Sequence, residues 1–438
     1  MKKNIKYIIL LFVFVLILAA CGKKGSSDKV SESSPASDKK SSSDSNGSDS
    51  ASDTENAMPT VVPIEENELP DEESSTEDTE NSDIDIDDPR IDEILSKLSK
   101  EEKIYQLFIV TPEQLAGVNI VTRAGGMTKT SFNNKPVGGL IYFAKNFENA
   151  AQIKEMTKNM QAYSEARIGL PIFLGIDEEG GTVSRVVESG RVAVTNVGNM
   201  SDIGATGDAN KAYEAGNTIG KYLNELGFNL DFAPVADVLT NAENQSLKLR
   251  SFGSDANLVP DMCVSFAKAL NENKIIACYK HFPGLGAAKE DTHQGMAVID
   301  KKLDELKATE LKPFEAAVNN GAQFIMVGHV TFPNVTKEDV PASLSSEVID
   351  ILRKDYSFDG IVLTDSLSMK AVTDKYDADT SAVMAFKAGA DMILLPADFQ
   401  KAYTGLLNAV NNGEISEERL NQSVKRILKI KLAMKDEE

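Results

Sequence analysis

A (β/α)8 barrel of the TIM type is the fold that the sequence predicts, as a single catalytic domain of the α/β class over residues 89–438. Two observations support this prediction. Eight short apolar runs alternate with helix-like segments, which is the number of strand–helix units in such a barrel. The runs are mostly continuous rather than alternating, as in parallel strands that are buried on both faces. An open doubly wound sheet is the competing arrangement.

The eight apolar runs have the length of strands and follow one another in this order: 104–110, 139–143, 171–176, 228–235, 275–279, 323–327, 360–363 and 392–395. The helix-like segments between them include 149–167, 208–226, 256–273, 304–320 and 378–388. A last segment, 416–434, carries apolar residues at helical spacing, and we expect it to be the closing helix of the barrel.

The first 21 residues predict a targeting signal. Three lysines precede the apolar run 7–20, which has the length of the apolar region of a signal peptide and is short for a membrane span. The Leu-Ala-Ala-Cys sequence that ends at Cys21 resembles a bacterial lipobox, and this resemblance implies cleavage before Cys21 and lipidation of its thiol. We therefore expect an exported protein, anchored by lipid on the extracellular face of the cell membrane. An uncleaved anchor or an ordinary secretory signal is the alternative.

Residues 22–88 predict a disordered linker that precedes the barrel. They hold five lysines against 20 acidic residues, and therefore most of the net charge of −21. With almost no aromatic or large apolar side chains to bury, the segment should stay extended by self-repulsion. A tether that lifts the domain from the membrane and a merely solubilising spacer predict the same behaviour. The acidity of the chain argues against nucleic acid as a partner, since phosphate binding requires a basic surface.

The three cysteines exclude a disulfide-dense scaffold. Cys263 falls in a helical stretch and Cys278 at the end of a strand, and we expect both to be buried free thiols. No spacing of cysteine and histidine suggests a metal site, and no glycine-rich phosphate loop follows a strand. We expect no metal and no cofactor.

Polar motifs follow the predicted strands, where the catalytic residues of a barrel lie. The third run leads into Asp-Glu-Glu-Gly-Gly-Thr-Val-Ser-Arg, and the fifth into Lys-His-Phe-Pro-Gly and then Asp-Thr-His. The seventh leads into Thr-Asp-Ser-Leu-Ser-Met. All three histidines of the chain, His281, His293 and His329, fall in segments of this kind.

Together these motifs resemble glycoside hydrolase family 3, in particular its single-barrel, NagZ-like β-N-acetylglucosaminidase branch. The resemblance covers essentially all of residues 89–438. It implies a retaining exo-β-N-acetylglucosaminidase, or β-N-acetylhexosaminidase, that hydrolyses non-reducing terminal β-linked N-acetylglucosamine. The carbohydrate substrates that we expect are peptidoglycan fragments (muropeptides), and we expect a monomer.

The resemblance also implies the catalytic residues. Asp365 would be the nucleophile that forms a covalent glycosyl-enzyme, and His293 the acid/base, held by Asp291 as a dyad. Retention needs an attacking carboxylate and an acid that later activates water, and a histidine that titrates near neutrality can supply the acid. The alternatives are a helix N-cap for Asp365 and a surface-loop residue for His293. The Gly- and Ala-rich segment before His293 predicts a mobile loop.

Five further residues match the positions that hold the terminal sugar in the family: Asp177, Arg185, Arg250, Lys280 and His281. An aspartate accepts two hydroxyl hydrogen bonds, whereas arginine and lysine supply donors that stay charged at pH 7. For Arg185, a salt bridge to Glu178 or Glu179 is the alternative. Glu179 itself could bind backbone N–H groups at the strand end. Asp237 and His329 are weaker candidates.

The chain departs from the family pattern at two positions. Leu285 stands in place of a histidine, and Thr292 in place of a serine, and neither change removes a catalytic group. The chain also has no tryptophan, so stacking on sugar rings would fall to Phe, Tyr or Met, which suits a small exo-acting pocket.

Three other functions remain open at this point. The first is a phosphorylase, because a neutral histidine tolerates a phosphate anion better than a carboxylate would. The second is a β-glucosidase of the same family. The third belongs to another class, a sugar-binding lipoprotein without catalysis, for which the Asp-Thr-His loop and Asp365 would have no purpose.

Overall fold

Eight parallel strands form one sheet that closes on itself as a barrel. In chain order they are β1 (Phe108–Val110), β2 (Gly139–Tyr142), β3 (Phe173–Ile176), β4 (Leu230–Asp231), β5 (Ile276–Phe282), β6 (Phe324–Val327), β7 (Ile361–Thr364) and β8 (Ile393–Leu394). Each strand from β1 to β6 pairs with the next in the chain, and β8 pairs with β1. A bridge between Leu363 and Met392 joins β7 to β8 and completes the ring. The prediction of a (β/α)8 barrel is confirmed, and the open doubly wound sheet is excluded.

The computed structural model describes residues 84–436. The predicted signal with Cys21, and the predicted linker up to residue 83, lie outside the described residues. Ile84 belongs to the hydrophobic core, so the packed domain begins before the predicted boundary at residue 89. Within residues 84–436, no helix combines the length and the apolar character that crossing a membrane requires.

The helices follow the predicted alternation with strands. Their bounds are Pro89–Lys97, Lys100–Gln106, Pro112–Ala116, Gly126–Asn134, Ala150–Ile168, Arg185–Ser189, Met200–Gly204, Ala209–Leu226, Leu258–Glu272, Leu303–Ala308, Lys312–Asn319, Ser346–Asp350, Lys370–Thr373, Ala378–Ala388, Phe399–Asn411 and Glu417–Asp436. We number these helices α1 to α16. The helix predicted over 304–320 is two helices, α10 and α11, interrupted between residues 308 and 312.

The first strand begins later than predicted. Residues 104–106 were expected to be extended, but they form the end of α2, and β1 begins at Phe108. The start of α2 is a capping box, in which Ser99 and Glu102 each accept a hydrogen bond from the other's backbone N–H. This signal was present in the sequence, whereas the apolar run alone cannot separate a buried helix end from a strand.

Strand β5 is longer than predicted and β4 is shorter. Because β5 continues to Phe282, Lys280 and His281 lie within the strand itself and are buried. Strand β4 is limited to two residues, and the chain after it makes a single bridge, from Val235 to Lys280. The end of β5 is therefore lined by irregular chain from residue 232 onward, which brings Asp237 against it.

The interior of the barrel is filled with aromatic rings. The rings of Phe173 and Phe324 meet edge to face with their centroids 5.1 Å apart. Gly175 leaves room for another ring, because a Cβ at this position would lie 2.8 Å from the Cζ of Phe232. The closing helix α16 is tied to the barrel through Asp391, whose Oδ1 accepts a hydrogen bond from Ser423 at 2.6 Å. Asp391 precedes β8, at the end of the barrel opposite to Asp365.

Candidate active site

The candidate residues from three strands meet at one face of the barrel. Asp177 directly follows β3, Lys280 and His281 lie near the end of β5, and Asp365 directly follows β7. In a parallel barrel the carboxyl ends of all strands lie on the same face, where barrel enzymes build their active sites.

Four charged residues form a largely buried cluster at this face, which we call the Lys280 cluster: Asp177, Glu179, Arg250 and Lys280. The Nζ of Lys280 donates to Asp177 at 2.8 Å and lies 2.7 Å from Glu179. Arg250 donates to the two oxygens of Glu179 from Nε at 2.7 Å and from Nη2 at 2.8 Å. Burial acts to raise the pKa of Glu179, but the charges of Arg250 and Lys280 outweigh it and hold that pKa far below its usual value. The cluster brings together three of the five predicted sugar-binding residues.

The expectation that Glu179 binds backbone N–H groups is wrong, and its neighbour has that role. Glu178 accepts from the N–H of Val186 at 2.8 Å and from the hydroxyl of Tyr222 at 2.9 Å. Residues 178–180 form a short extended segment, so consecutive side chains point to opposite sides. The sequence alone does not reveal which of the two carboxylates faces the site.

Arg185 forms neither of the expected salt bridges. Its Nη1 donates to Glu188 at 3.0 Å, its Nη2 lies 3.9 Å from Asp177, and its guanidinium lies 5.7 Å from the ring centroid of Phe143. The Nε is buried without a hydrogen-bond partner among the described residues. Arg185 thus lies beside the Lys280 cluster with donor capacity that is not used.

Asp365 is partly buried and surrounded by cationic or ionisable groups. The backbone N–H of Ser366 donates to its Oδ1 at 2.7 Å. Burial acts to raise the pKa of Asp365, but His329, His281, this N–H and Lys280 together lower it below the usual value. The carboxylate is therefore ionised at neutral pH, as a nucleophile must be.

His329 is fully buried behind Asp365. Its Nε2 lies 2.9 Å from the carbonyl oxygen of Ser366 and its Nδ1 lies 2.8 Å from the hydroxyl of Ser343. Because a carbonyl only accepts, Nε2 carries a proton. Burial lowers the pKa of His329, which favours the neutral ring with Nδ1 as acceptor. The ring therefore fixes the backbone that follows Asp365.

Asp291 and His293 form the predicted pair on the loop after β5. The Nδ1 of His293 lies 2.9 Å from Oδ1 of Asp291, and the backbone N–H of His293 donates to the same oxygen. Burial acts to raise the pKa of Asp291, but its hydrogen bonds with His293 lower it overall. The side chain of His293 is 66% exposed. The loop touches the segment after β7, where the N–H of Ala371 donates to the carbonyl of Thr292 at 3.3 Å.

Leu285, at the position of a family histidine, is buried rather than directed to solvent. A Cβ on Gly328 would lie 3.3 Å from its Cδ2 and 3.1 Å from the Cβ of His281. Leu285 thus belongs to the base of the Asp291–His293 loop and packs against the end of β6.

The sequence did not indicate two buried acids that lie beneath the Lys280 cluster, Glu178 and Asp231. Burial raises the pKa of Glu178 to about 7, and burial raises the pKa of Asp231 well above its usual value. Asp231 accepts from the N–H of Glu178 at 2.9 Å, whereas its Oδ2 has no partner among the described residues. The position of Asp231 at the end of β4 was the available signal, since side chains at strand ends face the site.

The described residues show no group of three or more His, Cys, Asp or Glu side chains that could hold a metal ion. Cys263 and Cys278 are buried free thiols, as expected. Burial raises the pKa of both thiols, so neither is a reactive thiolate.

Comparison with known proteins agrees with the geometry. The chain is 32% identical over 321 residues to beta-hexosaminidase A of Pseudoalteromonas piscicida, covering 67% of this chain and 53% of that protein. It is 29% identical over 350 residues to the beta-hexosaminidase LpqI of Mycobacterium tuberculosis, covering 76% of this chain and 83% of the relative. The chain thus spans about half the length of the first relative.

Solved structures share the fold. A glycoside hydrolase family 3 β-N-acetylglucosaminidase from Paenibacillus superposes with a TM-score of 0.73 at 35% identity, covering 78% of this chain and 64% of that chain. The family model for the glycosyl hydrolase family 3 N-terminal domain matches residues 99–430, which include every candidate site residue of the barrel. The chain therefore belongs to glycosyl hydrolase family 3.

Proposed function

We propose that the chain is a retaining exo-β-N-acetylglucosaminidase with Asp365 as nucleophile and His293 as acid/base. The observation that carries this proposal is Asp365 itself, an ionised carboxylate directly beyond β7, within electrostatic reach of Lys280. The relatives named above are beta-hexosaminidases, and the Paenibacillus neighbour is a β-N-acetylglucosaminidase.

The reaction would proceed in two steps. First, an oxygen of Asp365 attacks the anomeric carbon while the bond to the leaving oxygen breaks, and His293 gives its proton to that oxygen. Then His293 takes a proton from a water molecule, whose oxygen displaces Asp365 from the anomeric carbon. One glycosidic bond is hydrolysed, the β configuration is retained, and both side chains return to their starting states.

The protonation states support these roles. The lowered pKa of Asp365 provides an anionic nucleophile at neutral pH. The lowered pKa of Asp291 keeps an anion next to His293, which stabilises the imidazolium that donates the proton. The exposure of His293 is compatible with a loop that approaches the sugar only when substrate is bound.

The Lys280 cluster would hold the terminal sugar. Asp177 keeps accepting capacity beyond its bond to Lys280, and the Nε of Arg185 beside it has no partner within residues 84–436. Carboxylates and fixed cationic donors are suited to sugar hydroxyls and to the acetamide carbonyl. The chain has no tryptophan on which a long sugar chain could stack, which suits a site for a single terminal residue.

We also propose that the protein is exported and lipid-anchored through Cys21, that it acts as a monomer, and that peptidoglycan fragments are its natural substrates. The Leu-Ala-Ala-Cys sequence at the end of an apolar run supports the anchor. The acidic segment that follows supports a head held away from the membrane.

Hydrolysis of p-nitrophenyl β-N-acetylglucosaminide, with and without phosphate, tests the proposal. We expect Asp365→Ala to lower kcat/KM by about three orders of magnitude or more and His293→Ala by about 10²–10⁴-fold. Asp350→Ala, which removes an exposed ion pair with Lys354, is the control and should leave the rate unchanged. An inert wild type, or full activity in Asp365→Ala, would contradict the proposal. Formation of the sugar 1-phosphate would instead indicate a phosphorylase.

A further inference from the structure

The carboxylate of Asp237 is fully buried and uses both of its oxygens. Its Oδ2 lies 2.8 Å from Nδ1 of His281 and accepts the backbone N–H of the same residue at 3.2 Å. Its Oδ1 accepts the backbone N–H of Leu285 at 2.5 Å. One side chain thus contacts both the end of β5 and the first turn of the loop that carries Asp291 and His293.

The contact to Leu285 belongs to a firm anchorage of the loop base, residues 285–288, on residues 237–244. The amide of Asn244 donates to the carbonyl of Leu285 at 2.9 Å, and the N–H of Asn241 donates to the carbonyl of Gly286 at 3.0 Å. The approach at Gly286 is so close that a Cβ would lie 1.7 Å from the carbonyl oxygen of Val238. Beyond this base, Lys289, Glu290, His293 and Gln294 are exposed, whereas Thr292 is buried.

The contact to His281 determines where the imidazole proton lies. The backbone N–H donations to Oδ1 and Oδ2 are those expected of an ionised carboxylate, which can only accept, so Nδ1 of His281 must carry a proton. Nε2 of His281 is then left to interact with the substrate. His281 is also among the groups that lower the pKa of Asp365, so its ring lies within electrostatic reach of the nucleophile.

We propose that Asp237 is a positioning residue for the reaction, which sets the proton on His281 with one oxygen and holds the base of the Asp291–His293 loop with the other. This inference rests on the proposed function. Asp237 is buried and acts through its neighbours. A third contact links Asp237 to the chain beside Arg250. The hydroxyl of Ser251 donates to the backbone carbonyl of Asp237 at 2.7 Å.

Asp237→Asn tests the contact with His281 and the contact with Leu285 together, because an amide has one accepting oxygen and one donating NH2 group. The variant cannot accept from both Nδ1 of His281 and the N–H of Leu285. Loosening the loop impairs protonation of the leaving oxygen, which matters more for a poor leaving group. We expect the variant to lose at least about tenfold more kcat/KM on the β-1,4-linked disaccharide of N-acetylglucosamine than on the p-nitrophenyl glycoside.

The histidine signals provide a readout that a merely structural role would not move. The whole chain has three histidines, so ¹⁵N-histidine labelling yields three imidazoles, which can be assigned with His293→Gln and His329→Gln. We expect Nδ1 of His281 to be protonated in the wild type. In Asp237→Asn, the amide NH2 can face Nδ1 and shift the proton to Nε2.

Two other variants distinguish a general loss of stability from a loosening of the Asp291–His293 loop. Ser423→Ala removes a buried hydrogen bond to Asp391 at the opposite end of the barrel, so it should lower stability and affect both substrates equally. Asn244→Ala removes the hydrogen bond from the Asn244 amide to the carbonyl of Leu285. It should therefore reduce turnover of the disaccharide more than that of the p-nitrophenyl glycoside, while the proton of His281 stays on Nδ1.

The outcomes separate this inference from the proposed function. Equal losses on both substrates in Asp237→Asn and Asn244→Ala, or a wild-type His281 protonated only at Nε2, would overturn it. The wild-type spectrum tests whether the proton of His281 lies on Nδ1 even if Asp237→Asn does not fold. If the wild type hydrolyses neither glycoside while its histidine signals are as expected, the proposed function fails and the geometric role of Asp237 stands.

Discussion

Glu179 illustrates how single residues determine the site. It is 1% exposed, yet it stays ionised because Arg250 and Lys280 donate to it from two directions. Removing one partner from such a buried group leaves the other charges without compensation, which is more costly than never having buried them. We therefore expect the Lys280 cluster to contribute to stability as well as to the proposed binding of the sugar.

Glu179→Gln should lower the free energy of unfolding by about 3–5 kcal/mol, because Arg250 and Lys280 lose their shared anion. KM for the glycoside should rise as the two cations reorient toward Asp177. Chemical unfolding and steady-state kinetics measure these two effects. Glu188→Gln, at the exposed partner of Arg185, is the matched control and should change stability by no more than about 1 kcal/mol. Equal effects of the two variants would refute the role of Glu179.

At this scale the sequence indicated which residue types would meet, but not all of their contacts. Asp177, Lys280 and Arg250 come together as expected, since each lies at a strand end or in the loop that follows one. The binding of backbone N–H groups expected of Glu179 belongs to Glu178, because their orientation depends on a short extended segment whose side-chain alternation the sequence does not fix. Arg185 pairs with Glu188 because both lie on α6, one turn apart.

At the scale of elements, the closing helix α16 carries a charge into the core. Lys431 is fully buried, its Nζ donates to Gln106 at 2.9 Å, and it lies 5.2 Å from the ring centroid of Phe173. Burial lowers the pKa of Lys431 to about 7. Because the unfolded chain binds this proton more tightly than the folded chain, stability should rise with pH above 7 until the ordinary lysine pKa is reached.

Lys431→Met should remove this dependence. Between pH 7 and pH 9, the free energy of unfolding of the wild type should gain up to about 1.4 kcal/mol per pH unit from this one proton. The variant should show a correspondingly smaller slope, whatever the loss of the bond to Gln106 does to its absolute stability. Denaturant unfolding at several pH values measures both slopes, and equal slopes would contradict the assignment.

The order of elements was predictable, whereas their ends were less so. The apolar runs and their spacing identified all eight strands, because parallel strands buried on both faces are nearly continuous in apolar residues. The start of β1 was misplaced because the end of α2 is equally buried. The polarity of Lys280 and His281 predicted that β5 would end before them. The strand instead continues through both residues, because it pairs with β6 as far as Phe282.

At the scale of the whole molecule, residues 22–88 carry −15 of the net charge of −21, whereas the barrel, residues 89–438, carries −9. If Cys21 carries lipid, as we propose, the acidic segment after it links the barrel to the membrane. The chemistry and the location would then depend on separate parts of the chain.

Cys21→Ser tests the proposed location. The wild type should fractionate with membranes and dissolve in detergent, while the variant should lose lipidation and shift to the released or unprocessed form. Activity per molecule should be unchanged, because the barrel is not altered. Immunoblotting of fractions, with Cys263→Ser as the thiol control, measures the shift. Unchanged membrane association of the Cys21 variant would contradict the anchor.

The most direct test of the central claim is to trap the glycosyl-enzyme. A fluorinated β-N-acetylglucosaminyl fluoride reacts through the first step but slows the second, so the intermediate accumulates. Mass spectrometry of the digested wild type should find the sugar attached to Asp365, and Asp365→Ala should remain unlabelled. Turnover without any adduct, or an adduct on another carboxylate such as Asp177 or Asp291, would contradict the mechanism.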